Sequence, residues 1–212
     1  MPIEFINLPE NKNFLAIDRK YSSFKNSKIA VLSCPFEKTT SYGKGTSKGP
    51  KAIIEASHYV EFFDEETLKE VCFKEGITTI KPLEFNKRKG KNALDYIYWN
   101  VKTLINSGKF VVTLGGEHSI STAPIKAHFE SFEDLSILHF DAHSDLRDEY
   151  EGSKYSHASF AARVAEFTTK ITQVGIRAQC IEEYNFIKEK EINTFYAHQI
   201  RESGFDDLLI NK

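Results

Sequence analysis

The sequence predicts an α/β fold in which helices cover both faces of a mainly parallel sheet. Three observations point there. Apolar, strand-like runs alternate with stretches of helical periodicity along the chain. The clearest runs, FVVTL at 110–114 and LSILHF at 135–140, are apolar on successive residues, as strands buried on both faces are. Each is closed by Gly or Asp and followed by a helical pattern, the order of a strand–helix–strand unit.

In chain order, KIAVLSCPF at 28–36 reads as a short buried strand. A glycine-rich loop, SYGKGTSKGP, leads to a helix over KAIIEASHYVEFFDEE, with Pro50 where helices begin. VCFKEGITTI is a weak strand. In the next helix Leu94, Ile97, Val101, Leu104 and Ile105 recur at three- and four-residue steps on one face, and Gly108 stops it. FVVTL then runs into GGEHS, a helix around APIKAHFESF follows, and LSILHF runs into DAHSD. SHASFAARVAEF reads as helical, ITQVGI as extended, IEEYNFIKEKE as helical, INTFYAH as extended, and FDDLLINK as the opening of one more helix. No internal repeat, low-complexity tract or linker divides the chain, so residues 1–212 are expected to form a single domain.

The 212 residues are 41% hydrophobic and 27% charged, enough apolar mass for a sizeable core. Lys+Arg number 28 against 30 Asp+Glu, a balance that argues against a strongly basic nucleic-acid binder. Cys34, Cys72 and Cys180 show no C-x-x-C spacing and cannot form a disulfide framework. The N-terminus lacks a basic-then-apolar leader, and no apolar run approaches the ~20 residues of a membrane helix. The expected setting is cytoplasmic, without nucleic acid or membrane as partner.

In parallel α/β sheets, ligands bind beyond the carboxyl ends of the strands, where GGEHS and DAHSD fall. Asp141, His143 and Asp145 alternate with small residues, and on an extended backbone residues i, i+2 and i+4 share a side. One short segment would so offer two carboxylates and an imidazole to one cavity, a donor set that suits Mn2+ better than zinc. His118 follows a glycine pair that permits a sharp turn after FVVTL, which makes it a fourth candidate ligand. A site with two ions would acidify a shared water into a nucleophile for an electrophilic carbon or a phosphorus centre. The residue pattern leaves that choice open. His157, near a helix start, is a candidate proton shuttle, although histidines there more often serve as caps. His58, His128 and His198 are expected to be structural, as is His139, which is expected to face away from the neighbours of Asp141.

Five segments taken in order resemble the ureohydrolase family of arginases and agmatinases, agmatinases most of all. They are GTSKGPKAI from Gly45, GGEHS, FDAHSDLRDEY, YSHASFAARV and GIR at 175–177. The resemblance implies a three-layer α/β/α sandwich, usually assembled as a homo-oligomer. It implies two Mn2+ ions, with His118 and Asp145 ligating the first, Asp141 bridging both and His143 ligating the second. It implies that His157 transfers protons while a bridging hydroxide attacks the guanidinium carbon of agmatine, giving urea and putrescine. Asp148 and Glu149 would then help hold a cationic substrate, or form a solvated acidic loop. Other guanidino substrates of this class are guanidinobutyrate and formiminoglutamate. A metallophosphoesterase would need a Gly-Asn-His-Asp/Glu partner, which this sequence does not contain.

The family pattern also has a later strand ending in Asp-x-Asp, whose aspartates complete the ligand set. This sequence stops at Asn211-Lys212, so the expected fold lacks the family's C-terminal strands. Asp206-Asp207 would not replace them, because adjacent strand residues point to opposite faces. Two Mn2+ ions bring four positive charges against the two negative ones of Asp141 and Asp145. The expectation is one weakly held ion or none, with impaired turnover or a catalytically inactive fragment.

Overall fold

The computed structural model describes residues 3–204. FDDLLINK, with Asp206-Asp207, lies outside them. The chain forms two compact units, one running to Ala127 and one from His128.

In the N-terminal unit, strands β1 (Ile29–Cys34), β2 (Ile77–Ile80) and β3 (Phe110–Gly115) form a parallel sheet in the order β2-β1-β3. Ile29 pairs with Ile77 on one side and with Phe110 on the other. The central strand carries Ala30, Val31, Leu32 and Cys34, all buried, which explains its unbroken apolar pattern. Burial also raises the Cys34 thiol pKa well above its ordinary value. Among the described residues this unit carries α1 (Arg19–Ser22), α2 (Gly49–Ala56), α3 (Val71–Glu75), α4 (Lys91–Asn106) and most of the helix that follows β3. Helix α4 packs on β1 and β3 through the predicted stripe, with Leu94, Ile97, Val101 and Leu104 buried. Each such side chain contributes about 2 kcal/mol relative to exposure. Gly108, at φ +73°, supplies the left-handed residue that ends the helix.

Two elements differ from the sequence expectation. The helix expected over 51–66 ends at Ala56 with a 3-10 turn at Ser57–Tyr59. Tertiary contacts stop it: Ser57 Oγ accepts the Leu15 N–H at 2.8 Å, and a His58 ring nitrogen lies 2.9 Å from the Asn13 carbonyl. Beyond it Asp64 accepts the N–H and hydroxyl of Thr67, both at 2.6 Å, closing a turn that competes with helix. The expected strand over 71–80 is α3 followed by β2. Gly76 separates them at φ +68°, where a Cβ would lie 2.8 Å from the Tyr21 carbonyl oxygen.

Helix α5 (Thr122–Phe129) follows β3, and the division between the units falls near its C-terminal end. In the C-terminal unit, β4 (Ile137–Phe140), β5 (Ile171–Ile176) and β6 (Asn193–Tyr196) form a second parallel sheet in the order β4-β5-β6. Its helices are α6 (Phe160–Ala165), α7 (Ile181–Glu189) and α8 (Ala197–Ser203). Phe160, Val164, Ile171, Ile176, Ile187 and Phe195 are buried. The strands expected to be buried, β3 and β4, are the outer strands of their sheets and are half open: Phe110, Leu138 and Phe140 are exposed. Consecutive apolar residues marked them as strands without showing whether a neighbour covers them. No helix among the described residues is long and apolar enough to cross a membrane.

Just after β3, a Cβ on Gly116 would lie 2.7 Å from the Phe36 nitrogen and 2.9 Å from the Cys34 carbonyl oxygen, and closer still to the Phe36 oxygen. Backbone atoms cannot yield there. Gly116→Ala is therefore expected to lower stability by about 3 kcal/mol. Gly108→Ala meets nothing within 4 Å and should lose only about 1 kcal/mol to left-handed strain. Guanidinium unfolding of both variants checks the difference, and equal losses would contradict the packing argument.

Candidate metal centre

The segment Asp141–Arg147 leaves the carboxyl end of β4 and is held on both sides by backbone bonds. The Asp141 N–H donates to Val174 O at 3.2 Å, and the N–H groups of Arg177 and Ala178 donate to Ala142 O at 2.8 and 3.0 Å. Gly175, at φ +90°, allows this approach, since a Cβ there would lie 3.3 Å from the Asp141 carbonyl oxygen. At the far end Asp145 O accepts from Ala161 and Ala162 in the first turn of α6, and Arg147 N–H donates to Ala158 O. The buried carboxylate of Glu183 accepts the N–H of Leu146 at 2.9 Å and that of Cys180 at 2.7 Å.

This framework gathers His139, Asp141 and Asp145, each offering one ligand atom within 4.8 Å of the others. His139 and Asp145 are buried and Asp141 is half-buried. The expectation that His139 faces away from this group is corrected: its Nε2 lies 3.5 Å from Asp141 Oδ2. The signal was available, because residues i and i+2 of a strand share a face. The extended i, i+2, i+4 rule does not carry through to Asp145, which sits at φ +51°. A left-handed turn, not alternation, places it. His143 is largely exposed. Its N–H donates to Asp141 Oδ1 at 2.8 Å, and its Nδ1 lies 3.3 Å from the same oxygen.

His157 opens a 3-10 turn, His157–Ser159, that runs directly into α6. It is half-buried, with its ring edge-on to Tyr150 at 5.6 Å. The Arg147–Ala158 bond ties its turn to the Asp141–Arg147 segment. Asp148 is bonded to Arg163 at 2.7 Å and lies 3.3 Å from Lys154, so its charge already has protein partners.

His118 belongs to the N-terminal unit, where it opens the 3-10 turn His118–Ser121 after β3. It lines a hollow of about 330 Å³ together with Gly115, Gly116, Ile120 and Pro124. Its neighbour Glu117, which the sequence reading did not single out, is buried. Its carboxylate accepts from Thr39 N–H at 2.6 Å, Thr39 Oγ1 at 2.7 Å and Ser119 Oγ at 2.6 Å, and also from the Lys38 N–H. No spacing rule marks such a residue, because apart from Ser119 its partners lie almost eighty positions away.

The donor chemistry fits a hard or borderline divalent cation. Two carboxylates held side by side favour a compensating positive charge, and oxygen donors with one or two imidazoles suit Mn2+.

The profile of the arginase family matches residues 27–211. This chain belongs to the arginase family. The N(1)-aminopropylagmatine ureohydrolase of Synechocystis sp. is 36% identical over 207 residues, covering 95% of this chain and 67% of that protein. An agmatinase of Bacillus anthracis is 33% identical over 183 residues, 84% of this chain and 61% of its own length. The crystal structure of an agmatine ureohydrolase from Thermoplasma volcanium superposes with a TM-score of 0.80 at 25% identity, over 92% of this chain and 66% of that one. The arginase-family chain thus spans about two thirds of the length of these relatives, and its parallel α/β architecture is that of agmatinase-type members.

Arg163, itself buried, and Lys154 hold the Asp148 carboxyl below its ordinary pKa by hydrogen bonding. A lowered folded-state pKa contributes stability above the unfolded value, and that contribution is lost as pH falls through the folded one. Asp148→Asn should therefore melt below the native chain at neutral pH. The gap should close as pH drops past about 3.9 and on through the lowered value. Melting curves across that range check it, and a gap independent of pH would exclude the charge pairing as its cause.

Proposed function

We propose that this chain is an agmatinase-type guanidino hydrolase, releasing urea from agmatine or a close derivative at a manganese site. The observation that carries the reading is the gathering of Asp141 and Asp145 in a clamped segment of an arginase-family chain. In this reading Asp145 and His118 would hold the first of two ions, His143 the second, and Asp141 would serve both. Bound there, the ions supply Lewis acidity and an acidified water.

The protein's own groups do the rest. The two oxygens of Asp141 are presented separately, one accepting the His143 backbone N–H and the other facing His139, and would be open to different ions. His157, on the turn tied to the ligand segment, hands a proton to the departing amine, a role imidazole suits near neutral pH. A cytoplasmic setting and assembly into a homo-oligomer belong to the same proposal. A second reading has its own support. The relative at 36% identity is named for N(1)-aminopropylagmatine, so an N-substituted agmatine is a competing substrate.

The test is urea release by the Mn2+-loaded chain from agmatine, N(1)-aminopropylagmatine, guanidinobutyrate and formiminoglutamate, with Asp145→Asn and His118→Ala as controls. Urea is expected from the cationic pair of substrates. Both controls should reduce it by about 100-fold or more, the upper end of what disturbing a metal site's supporting shell alone does. Preference for an acidic substrate, indifference to Asp145→Asn, or no urea from folded, metal-loaded protein would each overturn the proposal.

A further inference from the structure

We infer that His139 is a positioning residue for Asp141 rather than a metal ligand, and that Gln173 dictates this by fixing the imidazole tautomer. The register pairs His139 of β4 with Gln173 of β5, and Gln173 with Thr194 of β6, so three polar side chains form one row across the buried sheet. All three are buried, Gln173 completely.

The row has one consistent hydrogen-bond pattern. Gln173 Nε2 lies 2.8 Å from the Ser144 carbonyl oxygen. A carbonyl oxygen only accepts, so the Gln173 atom facing it is the amide NH2. The same nitrogen lies 3.1 Å from His139 Nδ1, and its second N–H is the donor of that bond. At the other end Gln173 Oε1 accepts the Thr194 hydroxyl at 3.3 Å. Turning the amide over would set its oxygen against the Ser144 carbonyl, two acceptors with no hydrogen between them.

His139 Nδ1 is therefore an acceptor, and the ring proton of the neutral imidazole sits on Nε2. Phe160 packs edge-on against that ring at 4.9 Å, which fixes its plane. Nε2 faces Asp141 Oδ2 at 3.5 Å, at the outer limit of a hydrogen bond. A nitrogen carrying a proton has no lone pair for a metal. The imidazole instead orients one oxygen of Asp141 while the His143 N–H holds the other at 2.8 Å. This role rests on the proposed reading of Asp141 as a ligand; the tautomer does not.

The two parts are tested separately. In the metal-free chain labelled with 15N-histidine, two-bond proton–nitrogen correlations report which ring nitrogen carries the proton. The His139 signals are identified by their loss in His139→Gln, or by contacts to the Phe160 ring if that variant does not fold. A protonated Nε2 and an unprotonated Nδ1 are expected, unchanged on adding diamagnetic Mg2+. An unprotonated Nε2 in either state overturns the assignment. For the positioning role, Mn2+ affinity is measured by calorimetry. His139→Phe should weaken it about 10–100-fold, and His139→Gln, whose amide N–H can donate to Asp141, should recover most of that loss. Equal loss in both variants overturns the role. If the native chain takes up no Mn2+, the reading of the metal site fails, while the spectrum still decides the tautomer.

Discussion

A fully buried glutamine in the middle strand of a parallel sheet is the constraint on which the C-terminal unit turns. Leaving one of its polar atoms unpaired would cost about 1–3 kcal/mol, a large share of a domain's net stability. Gln173 meets the demand only if His139 and Thr194 stand beside it in register and Ser144 brings its carbonyl into reach. The last condition reaches outside the sheet. Ser144 lies between Asp141 and Asp145, so satisfying the amide also fixes the segment that carries both carboxylates. A slip of one residue in the β4–β5 register would turn His139 and Gln173 to opposite faces. The geometry of the candidate centre is in this sense set by the sheet interior, one strand away from it.

Buried carboxylates do parallel work in the two units. Glu117 accepts four bonds and holds residues 38–39 beside the turn that bears His118, while Glu183 accepts the N–H groups of Leu146 and Cys180. An isolated carboxylate in such a place would be very unfavourable. One that gathers several N–H and O–H donors is charge-assisted and rigid. Glu37 repeats the device near the surface: the Ser47 hydroxyl and N–H and the Gly45 N–H bond its carboxyl and lower its pKa. In the motifs GGEHS and GTSKGP, part of what reads as chemistry in the sequence is loop anchoring.

Which features could be read from the sequence follows from the range of the forces involved. Strand β1 and helix α4 announce themselves because an apolar run and a 3.6-residue stripe are local signals with nothing to oppose them. The segment 60–66 was expected to continue the helix of 51–56, but Ser57 and His58 are held by residues 13–15, a contact no local pattern shows. Gly76 divides 71–80 because it nests against Tyr21 and Asn26, again at long range. The candidate ligands at 141–145 were legible as residue types next to a strand end, and their family resemblance as ordered motifs. His139 shares the face of Asp141 by strand alternation, against the expectation from the sequence. Glu117 and Gln173 carry no local signal, because most of their partners come from distant parts of the chain.

Backbone conformation and charge meet at Asp145. Its φ of +51° is a conformation that a glycine would adopt without strain and that an aspartate holds at a cost of about 1–2 kcal/mol. That turn sends its carbonyl to the first N–H groups of α6 and reverses the course of the chain, so that its side chain lies beside Asp141 rather than continuing the extended row. A glycine would keep the turn and the carbonyl bonds and would lose the carboxylate. The backbone accounts for the turn, and the side chain is what brings a second carboxylate beside Asp141. The strain is offset by bonds that any residue could make there, while the charge is brought close to a second carboxylate that repels it. Placing a carboxylate at that position makes physical sense when a cation belongs between the two.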